Sequence, residues 1–331
     1  MNICIRVDGG SIIGMGHVMR CLALAKELSK KYSVFFACRV DEPLTNKYSP
    51  GIELIKKNGF DVKEINENLL KEEIKSIIAD CIITDSYDVD EKYFDMIKKY
   101  FKISGYIDDN NICEYFNVDF LINQNIYAKE IDYKVKNNTK LLLGSKFLIL
   151  RDEFRIKNKK KIINKKLENI MITVGGSDNS NLTELLIRQL LHTEYKLHVV
   201  IGNGFNNIDI LKKYESSKIK LYFNANMKDL MDKVDVCISG CGSTVYELAV
   251  SGVPSIGILV ADNQKRIAKH MSEKRLIIFC KKDIVLKSLG EMNYDVRKEL
   301  SNRCAKVIDK NGAFRICKKI SSLIDLNKNL K

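Results

Sequence analysis

The chain has 331 residues, of which 45% are hydrophobic, and a formal net charge of +13. That length fits two domains of ordinary size, and no uninterrupted apolar run of about 18 residues is present to span a membrane. The lysines are spread along the chain without an aromatic-interleaved basic stripe or a helix-turn-helix pattern, which argues against nucleic acid as a partner.

Ten cysteines occur with no CxxC pair and no zinc spacing. Cys4, Cys81, Cys237 and Cys280 fall in apolar strand-like runs, where cysteine acts as a small hydrophobe. Free thiols in that number point to a reducing, cytoplasmic setting. The first residues read as a strand rather than as a basic head with an apolar signal stretch.

In chain order, an apolar strand over Asn2–Val7 runs into a turn holding Gly9, Gly10, Gly14 and Gly16. An amphipathic helix follows over His17–Lys31, with Val18, Leu22, Ala25 and Leu28 on one face. Strands are predicted at Ser33–Cys38, Asp61–Ile65, Cys81–Thr84 and Lys102–Ile107, with helices at Ile52–Asn58, Leu69–Ala79 and Glu91–Tyr100 between them. Apolar runs at Phe120–Ile122, Leu141–Leu143 and Phe147–Leu150 complete the first half. The basic run Arg155–Lys166 breaks the rhythm and reads as a solvated linker, with a patch for anionic lipid or an anionic substrate as the sharper alternative.

The alternation restarts at Asn169–Val174 and Gly175-Gly176-Ser177-Asp178, followed by a helix over Leu182–Leu191. Strands at Lys196–Ile201, Lys220–Phe223, Asp235–Ser239, Ser255–Leu259 and Leu276–Cys280 carry the second half. Helices follow over Met227–Lys233, Asp295–Ile308 and Ala313–Ile324, and the last seven residues are expected to fray. Strands alternating with helices imply parallel sheets covered on both faces. The fold class is therefore α/β, with two Rossmann-like doubly wound domains, 1–155 and 156–331.

Ligands of such sheets sit at the carboxyl ends of the strands, which selects residues 8–17, 85–88, 175–178 and 240–247. Glycines in the first turn let backbone approach a ligand closely. A helix start carries partial positive charge and disfavours imidazolium, so His17 reads as a general base. The turn is not a dinucleotide fingerprint, because Met19 stands where the third glycine belongs; Asp41 lies near the position of a ribose-binding acid. No GK[ST] occurs, so no nucleoside-triphosphatase and no cofactor is expected. Gly240–Thr244 joins backbone N–H groups and two hydroxyls into a diphosphate cradle, with Gly175–Ser177 as a second. Glu247, one turn on, suits ribose hydroxyls; a plain helix cap is the competing reading. His198 falls mid-strand and reads as structural, His192 ends a helix, and His270 receives no role. Asp85, Asp88, Asp108 and Asp109 read as caps of turns and helices, and no metal is expected.

The segments RVDGGSIIGMGHVMRCLALAKEL (6–28), TDSYDVD (84–90), YIDD (106–109), INQN (122–125), MITVGGSDNSNLT (171–183), GCGSTVYELAVSGVPSI (240–256) and ADNQ (261–264) together resemble a known family. It is the PseG/SpsG-type family of UDP-2,4-diacetamido-2,4,6-trideoxy-β-L-altropyranose hydrolases, related in fold to MurG-type transferases. The resemblance implies a GT-B-like pair of domains facing a cleft. It implies hydrolysis of a UDP-linked acetamido deoxy sugar without metal or cofactor, in pseudaminic-type acid or surface polysaccharide biosynthesis. His17 matches the family's base, Tyr87 its active-site tyrosine and Asn263 its amide near the sugar. Asp8, Gly14, Gly16 and Arg20 fall on the sugar side. Gly176, Ser177, Gly242, Ser243, Thr244, Glu247 and Gln264 fall around UDP, with Met227 near the uracil. The expected partner is the UDP-sugar alone, with the protein a monomer or weak oligomer. Two departures stand out: Cys241 replaces a smaller residue, and Asn110-Asn111-Ile112 follows the IDD segment. A glycosyltransferase with a hydroxyl acceptor is the alternative activity, and a non-catalytic sugar-nucleotide-binding module a further one.

Overall fold

The computed structural model describes residues 1–155 and 160–328. The first sheet contains β1 (Asn2–Val7), β2 (Ser33–Val40), β3 (Val62–Asn66), β4 (Cys81–Asp85), β5 (Ile103–Ile107), β6 (Phe120–Asn123) and β7 (Lys140–Leu143). Every pairing is parallel and the order is β3-β2-β1-β4-β5-β6-β7. The second sheet contains β8 (Asn169–Thr173), β9 (Lys196–Ile201), β10 (Ile219–Phe223), β11 (Val236–Gly240), β12 (Ser255–Ile258) and β13 (Ile278–Phe279), all parallel, in the order β10-β9-β8-β11-β12-β13. Both sheets are doubly wound as expected. Each reverses direction of growth at one place, between β1 and β4 and between β8 and β11, and such switch points open a crevice at the strands' carboxyl ends.

The central strands read as continuous apolar runs because helices cover both faces. β1, β4 and β5 bury all or nearly all of their residues. One face of the first sheet packs Ile3, Ile5 and Val7 against the helix Gly16–Leu28; the other packs Cys4, Ile82 and Tyr106 against Phe94 and Ile97. All ten cysteines are free and buried, as small hydrophobes should be. The stretch expected as one helix over Leu69–Ala79 is broken into short turns, Glu67–Leu69, Leu70–Glu73 and Ile74–Ser76. Phe147–Leu150 is buried but forms no strand.

The domain boundaries need one correction. The chain divides into a unit of Met1–Asp152 with the terminal segment from Asn311, and a unit of Glu153–Lys310. The terminal helix, Gly312–Lys328, therefore belongs to the first unit rather than to the second, and it runs four residues into the seven expected to fray, the last three of which lie outside the described residues. The cause is its apolar stripe: Ile316, Ile320 and Ile324, spaced by four, are fully or almost fully buried in the core of the first sheet. Each buried isoleucine contributes about 1.5–3 kcal/mol. Gly312 permits the docking, since a Cβ there would lie 2.0 Å from the Leu148 carbonyl oxygen. Arg315 donates to the Lys146 carbonyl at 2.8 Å, and Tyr32 donates to Ser321 at 2.8 Å.

The basic run also behaves differently from a solvated linker. Its residues 156–159 lie outside the described residues. Beyond them, Lys161 Nζ donates to the carbonyls of Met231 and Asp232 at 2.9 and 2.7 Å, satisfying the end of the helix Met227–Lys233. Burial pushes the Lys161 ammonium down to about 8, against the opposing pull of Asp232 and Asp235. Asn164 donates to Asp235, and Arg297 donates to the Lys165 carbonyl, so residues 161–165 are tied to the second unit. No helix among the described residues is long and apolar enough to cross a membrane.

Candidate functional site

In the first unit the switch point sets the end of β1 beside the end of β4, with Val7 paired to Asp85. The chain leaves β1 through a loop pinned to itself and to its neighbour: Gly10 and Gly14 exchange backbone hydrogen bonds at 3.2 and 2.8 Å, and Ser11 N–H donates to the Asn46 carbonyl. The helix Gly16–Leu28 then starts with no acidic residue and no side-chain cap in its first turn. His17 and Arg20, one turn apart on that helix, both reach the buried Asp85.

Asp85 Oδ1 lies 2.5 Å from His17 Nδ1. Two acceptors do not approach so closely, so Nδ1 carries a proton and donates it. When the ring is neutral, that leaves Nε2 as the acceptor. Arg20 grips the same carboxylate with two parallel bonds, Nε to Oδ2 at 2.6 Å and Nη2 to Oδ1 at 2.7 Å. Its third arm, Nη1, donates to Asp109 Oδ2 at 2.7 Å. Burial by itself would raise the Asp85 carboxyl, but Arg20 and His17 reverse this and hold it well below the usual carboxylate range. Burial would likewise lower the Arg20 guanidinium, and Asp109 and Asp85 outweigh it.

Tyr87, just past β4, is 43% exposed. Its ring stands edge-on to the His17 imidazole, with centroids 4.7 Å apart, and its hydroxyl donates to Asp109 Oδ2 at 3.0 Å. Burial and the Asp109 charge push the phenol well up, so it acts as a donor and not as a phenolate. Asp109 is fixed from behind by Asn125 Nδ2 at 2.9 Å, and the Tyr127 hydroxyl donates to its carbonyl. The imidazole is 15% exposed while Asp85 is closed off. The result is an imidazole oriented through Nδ1, whose Nε2 makes no hydrogen bond among the described residues, with a neighbouring phenol and a buried charge system beside it.

In the second unit, the switch point makes the two glycine turns neighbours. A Cβ on Gly240 would meet the Val174 carbonyl oxygen at 3.0 Å, so the turn after β11 packs directly on the end of the strand run through β8. Gly175, at φ +117, and Gly176 are exposed, with nothing within 4 Å of an added Cβ. Among the described residues, the N–H groups of Gly242, Ser243 and Thr244 make no hydrogen bond. Gln264 staples this turn: its Oε1 accepts from Cys241 N–H at 3.0 Å and from Val260 N–H at 3.2 Å. Its amide nitrogen lies beside Gly242, 3.7 Å from an added Cβ. Glu247 stands in the first turn of the helix Thr244–Val250. Met227 begins the helix after the edge strand β10, at the same sheet end, and Asn263 is exposed in the turn Asp262–Gln264 after β12.

Residues 169–305 match the model of the glycosyltransferase family 28 C-terminal domain. An uncharacterized protein of Methanocaldococcus jannaschii is 32% identical, over 93% of this chain and 68% of its own length. The UDP-2,4-diacetamido-2,4,6-trideoxy-beta-L-altropyranose hydrolase of Campylobacter jejuni is 27% identical, over 83% of this chain and 97% of its own. The chain belongs to the PseG/SpsG-type family. Among solved structures, MurG of Acinetobacter baumannii superposes with a TM-score of 0.65 at 15% identity, covering 97% of this chain and 99% of its own, so the PseG/SpsG-type chain has a GT-B-like fold.

The structure brings His17, Arg20 and Tyr87 of this family member together, with Gly14 exposed on the loop before them and Gly16 exposed at the start of the helix. Asp8 is a correction. It is 4% exposed, 2.8 Å from Arg6, and accepts from the Arg39 backbone and side chain, so it faces inward and offers nothing to a sugar. Gly9 and Gly10 are likewise not ligand-facing. An added Cβ would lie 2.6 Å from Val18 at the first and 1.9 Å from the Lys47 carbonyl at the second, so packing demands them. Asp178 turns its carboxylate onto Leu182 and Thr183 N–H, which occupies the start of the helix Leu182–Leu190 with the protein's own acid. Asp41 is spent on Thr45.

The capping reading of the loop acids fails where it matters. Asp85 and Asp109 hold Arg20, and Asp88 pairs with Arg39. Asp108 does close a turn, accepting from Asn111 N–H, and it also takes the Tyr133 hydroxyl. Asn111 sits at φ +54, a conformation asparagine tolerates. Cys241 is fully buried, in the space left by Gly257, where an added Cβ would lie 2.7 Å from its sulfur. His198 is structural as expected, contacting Tyr222 and Asn169, whereas His270 is buried and its Nδ1–H donates to the Arg266 carbonyl.

Proposed function

We propose that this protein hydrolyses a UDP-linked acetamido deoxy sugar to free sugar and UDP, in pseudaminic-type acid or surface polysaccharide biosynthesis. The observation that carries the reading is the unpartnered Nε2 of an imidazole whose Nδ1–H is fixed on Asp85. Water attacks the anomeric carbon and loses a proton to His17 Nε2. The bond from that carbon to the diphosphate oxygen breaks, its electron pair leaves on UDP, and the configuration inverts. A positioned base of this kind contributes roughly 10²–10⁴-fold. The free N–H groups at Gly242, Ser243 and Thr244, with Gly176 and Ser177 on the adjoining turn, take the diphosphate. Glu247 binds ribose hydroxyls, and Gln264 adds its amide N–H₂. Asn263 and Tyr87 contact the sugar, and Met227 lies against uracil. The scheme asks for no metal, because the developing negative charge meets fixed dipoles. The Campylobacter jejuni relative, a hydrolase of a UDP-linked diacetamido trideoxy sugar by name, supports the substrate class.

The family 28 match favours a second reading, transfer to a hydroxyl acceptor with the same base. Proton NMR of products from a panel of UDP-linked amino sugars, with no acceptor present, separates the two. Free inverted sugar plus UDP, abolished in His17→Gln, is the expected result. Turnover that needs an acceptor supports transfer, and full turnover by His17→Gln removes the base assignment.

A further inference from the structure

We infer that Arg20 is a positioning residue that sets the charge of the His17 base, letting Asp85 orient the imidazole without fixing it as imidazolium. The inference rests on the hydrolase reading only for its catalytic meaning; the electrostatic arrangement stands by itself. A buried carboxylate hydrogen-bonded to a histidine does two things at once. It fixes the tautomer, and it attracts a proton to the ring, and a ring that holds a second proton cannot act as a base. Here Asp85 is shared. Oδ1 takes both the His17 Nδ1–H and one Arg20 Nη2–H, while Oδ2 takes Arg20 Nε–H and the Cys21 thiol at 3.3 Å. Arg20 Nη2 also lies 3.1 Å from His17 Nδ1, a contact between two donors that works against further positive charge on the ring.

The groups facing His17 make the count small. Asp85 comes from β4, Arg20 and Cys21 from the histidine's own helix, Tyr87 from the loop after β4, and Asp109 acts through Tyr87 and Arg20. Tyr87 and Cys21 are neutral. Two carboxylates against one guanidinium leave a single negative charge when the ring is neutral, and none when the ring has taken a proton. Without Arg20 two uncompensated carboxylates would face the ring, so the guanidinium removes one full charge from the pull on the ring's second proton. Asp109 is the adjusting member, because it draws one arm of Arg20 away from Asp85. With Asp85, Arg20 and Asp109 side chains 0%, 11% and 16% exposed, water screens these charges little.

The test follows the His17 ring in the full chain labelled with ¹⁵N-histidine, its signals assigned by their loss in His17→Gln. Arg20→Met should move the His17 titration upward by about one to three pH units while keeping the Nδ1–H tautomer signature. Arg20→Lys, which restores charge without the two-bond grip, should return part of that shift. Asp109→Asn, which removes a charge and no volume, should move the titration downward, and Asp85→Asn should abolish the tautomer preference. Should Arg20→Met not fold, Asp109→Asn and Asp85→Asn decide alone. A titration within 0.3 units of the wild type in the folded Arg20→Met or Asp109→Asn variant overturns the inference. Because the readout needs no substrate, a protein that shows these shifts and hydrolyses no UDP-sugar loses the functional reading and keeps this one. Active protein with unmoved titrations does the reverse.

Discussion

Gly242→Ala isolates the proposed diphosphate turn from the fold that carries it. An added Cβ at Gly242 meets only the flexible Gln264 amide, at 3.7 Å, and the residue is not in the left-handed region, so alanine folds there. The methyl group instead occupies the approach to the unpaired N–H groups of residues 242–244. A hydrogen bond from backbone N–H to a charged phosphate contributes about 1.5–3 kcal/mol. Losing one such bond weakens UDP binding by about 10- to 150-fold, since about 1.4 kcal/mol corresponds to a factor of ten. Gly240→Ala is the contrasting change. Its Cβ would lie 2.8 Å from a Val260 methyl and 3.0 Å from the Val174 carbonyl oxygen, so overpacking costs about 1–3 kcal/mol of stability. Calorimetric titration with UDP, paired with thermal unfolding, reads both. A folded Gly242→Ala protein that binds UDP within twofold of the wild type refutes the placement of the diphosphate at this turn.

Ile320→Ala should cost about 2–5 kcal/mol, and hydrogen exchange should show the loss in residues 1–152, since Ile320 is fully buried in that core; protection lost mainly in residues 160–310 would contradict the unit assignment. Gly16→Ala should leave thermal stability unchanged or slightly raised, because nothing lies within 4 Å of its Cβ, whereas Gly10→Ala should destabilise strongly against the Lys47 carbonyl; equal melting temperatures would show that the loop relaxes freely. Asp85 binds its proton less tightly folded than unfolded, so its contribution to stability is complete above the unfolded carboxyl's value of about 4 and is lost progressively as pH falls below it. Asp85→Asn should therefore flatten the acid limb of a denaturation series taken from pH 6 to 2, and an unchanged limb would assign acid unfolding to other carboxylates.

The strand-and-helix order was legible because it rests on local patterns: apolar runs in parallel strands and an apolar helix face at Val18, Leu22, Ala25 and Leu28. Where the terminal helix docks was not legible. Its stripe of Ile316, Ile320 and Ile324 states that it needs a core, and nothing local states which one. The glycine turns divide in the same way. Gly9 and Gly16 look alike in sequence, yet a Cβ on the first would strike Val18 and on the second would point into open space, and only the partner segments decide that.

The acids give the sharper case. Asp85 and Asp108 each end or follow a central strand next to small polar residues, which is the pattern of a turn cap, and for Asp108 that reading holds in part. For Asp85 it fails because β4 lies beside β1, a pairing fixed by the whole sheet order and not by the residues around Asp85. The available signal was indirect. His17 and Arg20 are one turn apart on a helix, a basic side chain beside a candidate base demands a buried acid, and only strands adjacent to β1 can supply it. Read together with doubly wound topology, that requirement selects the end of β4. Asp109 then follows, since an arginine with two bonds on one carboxylate has a further arm to place.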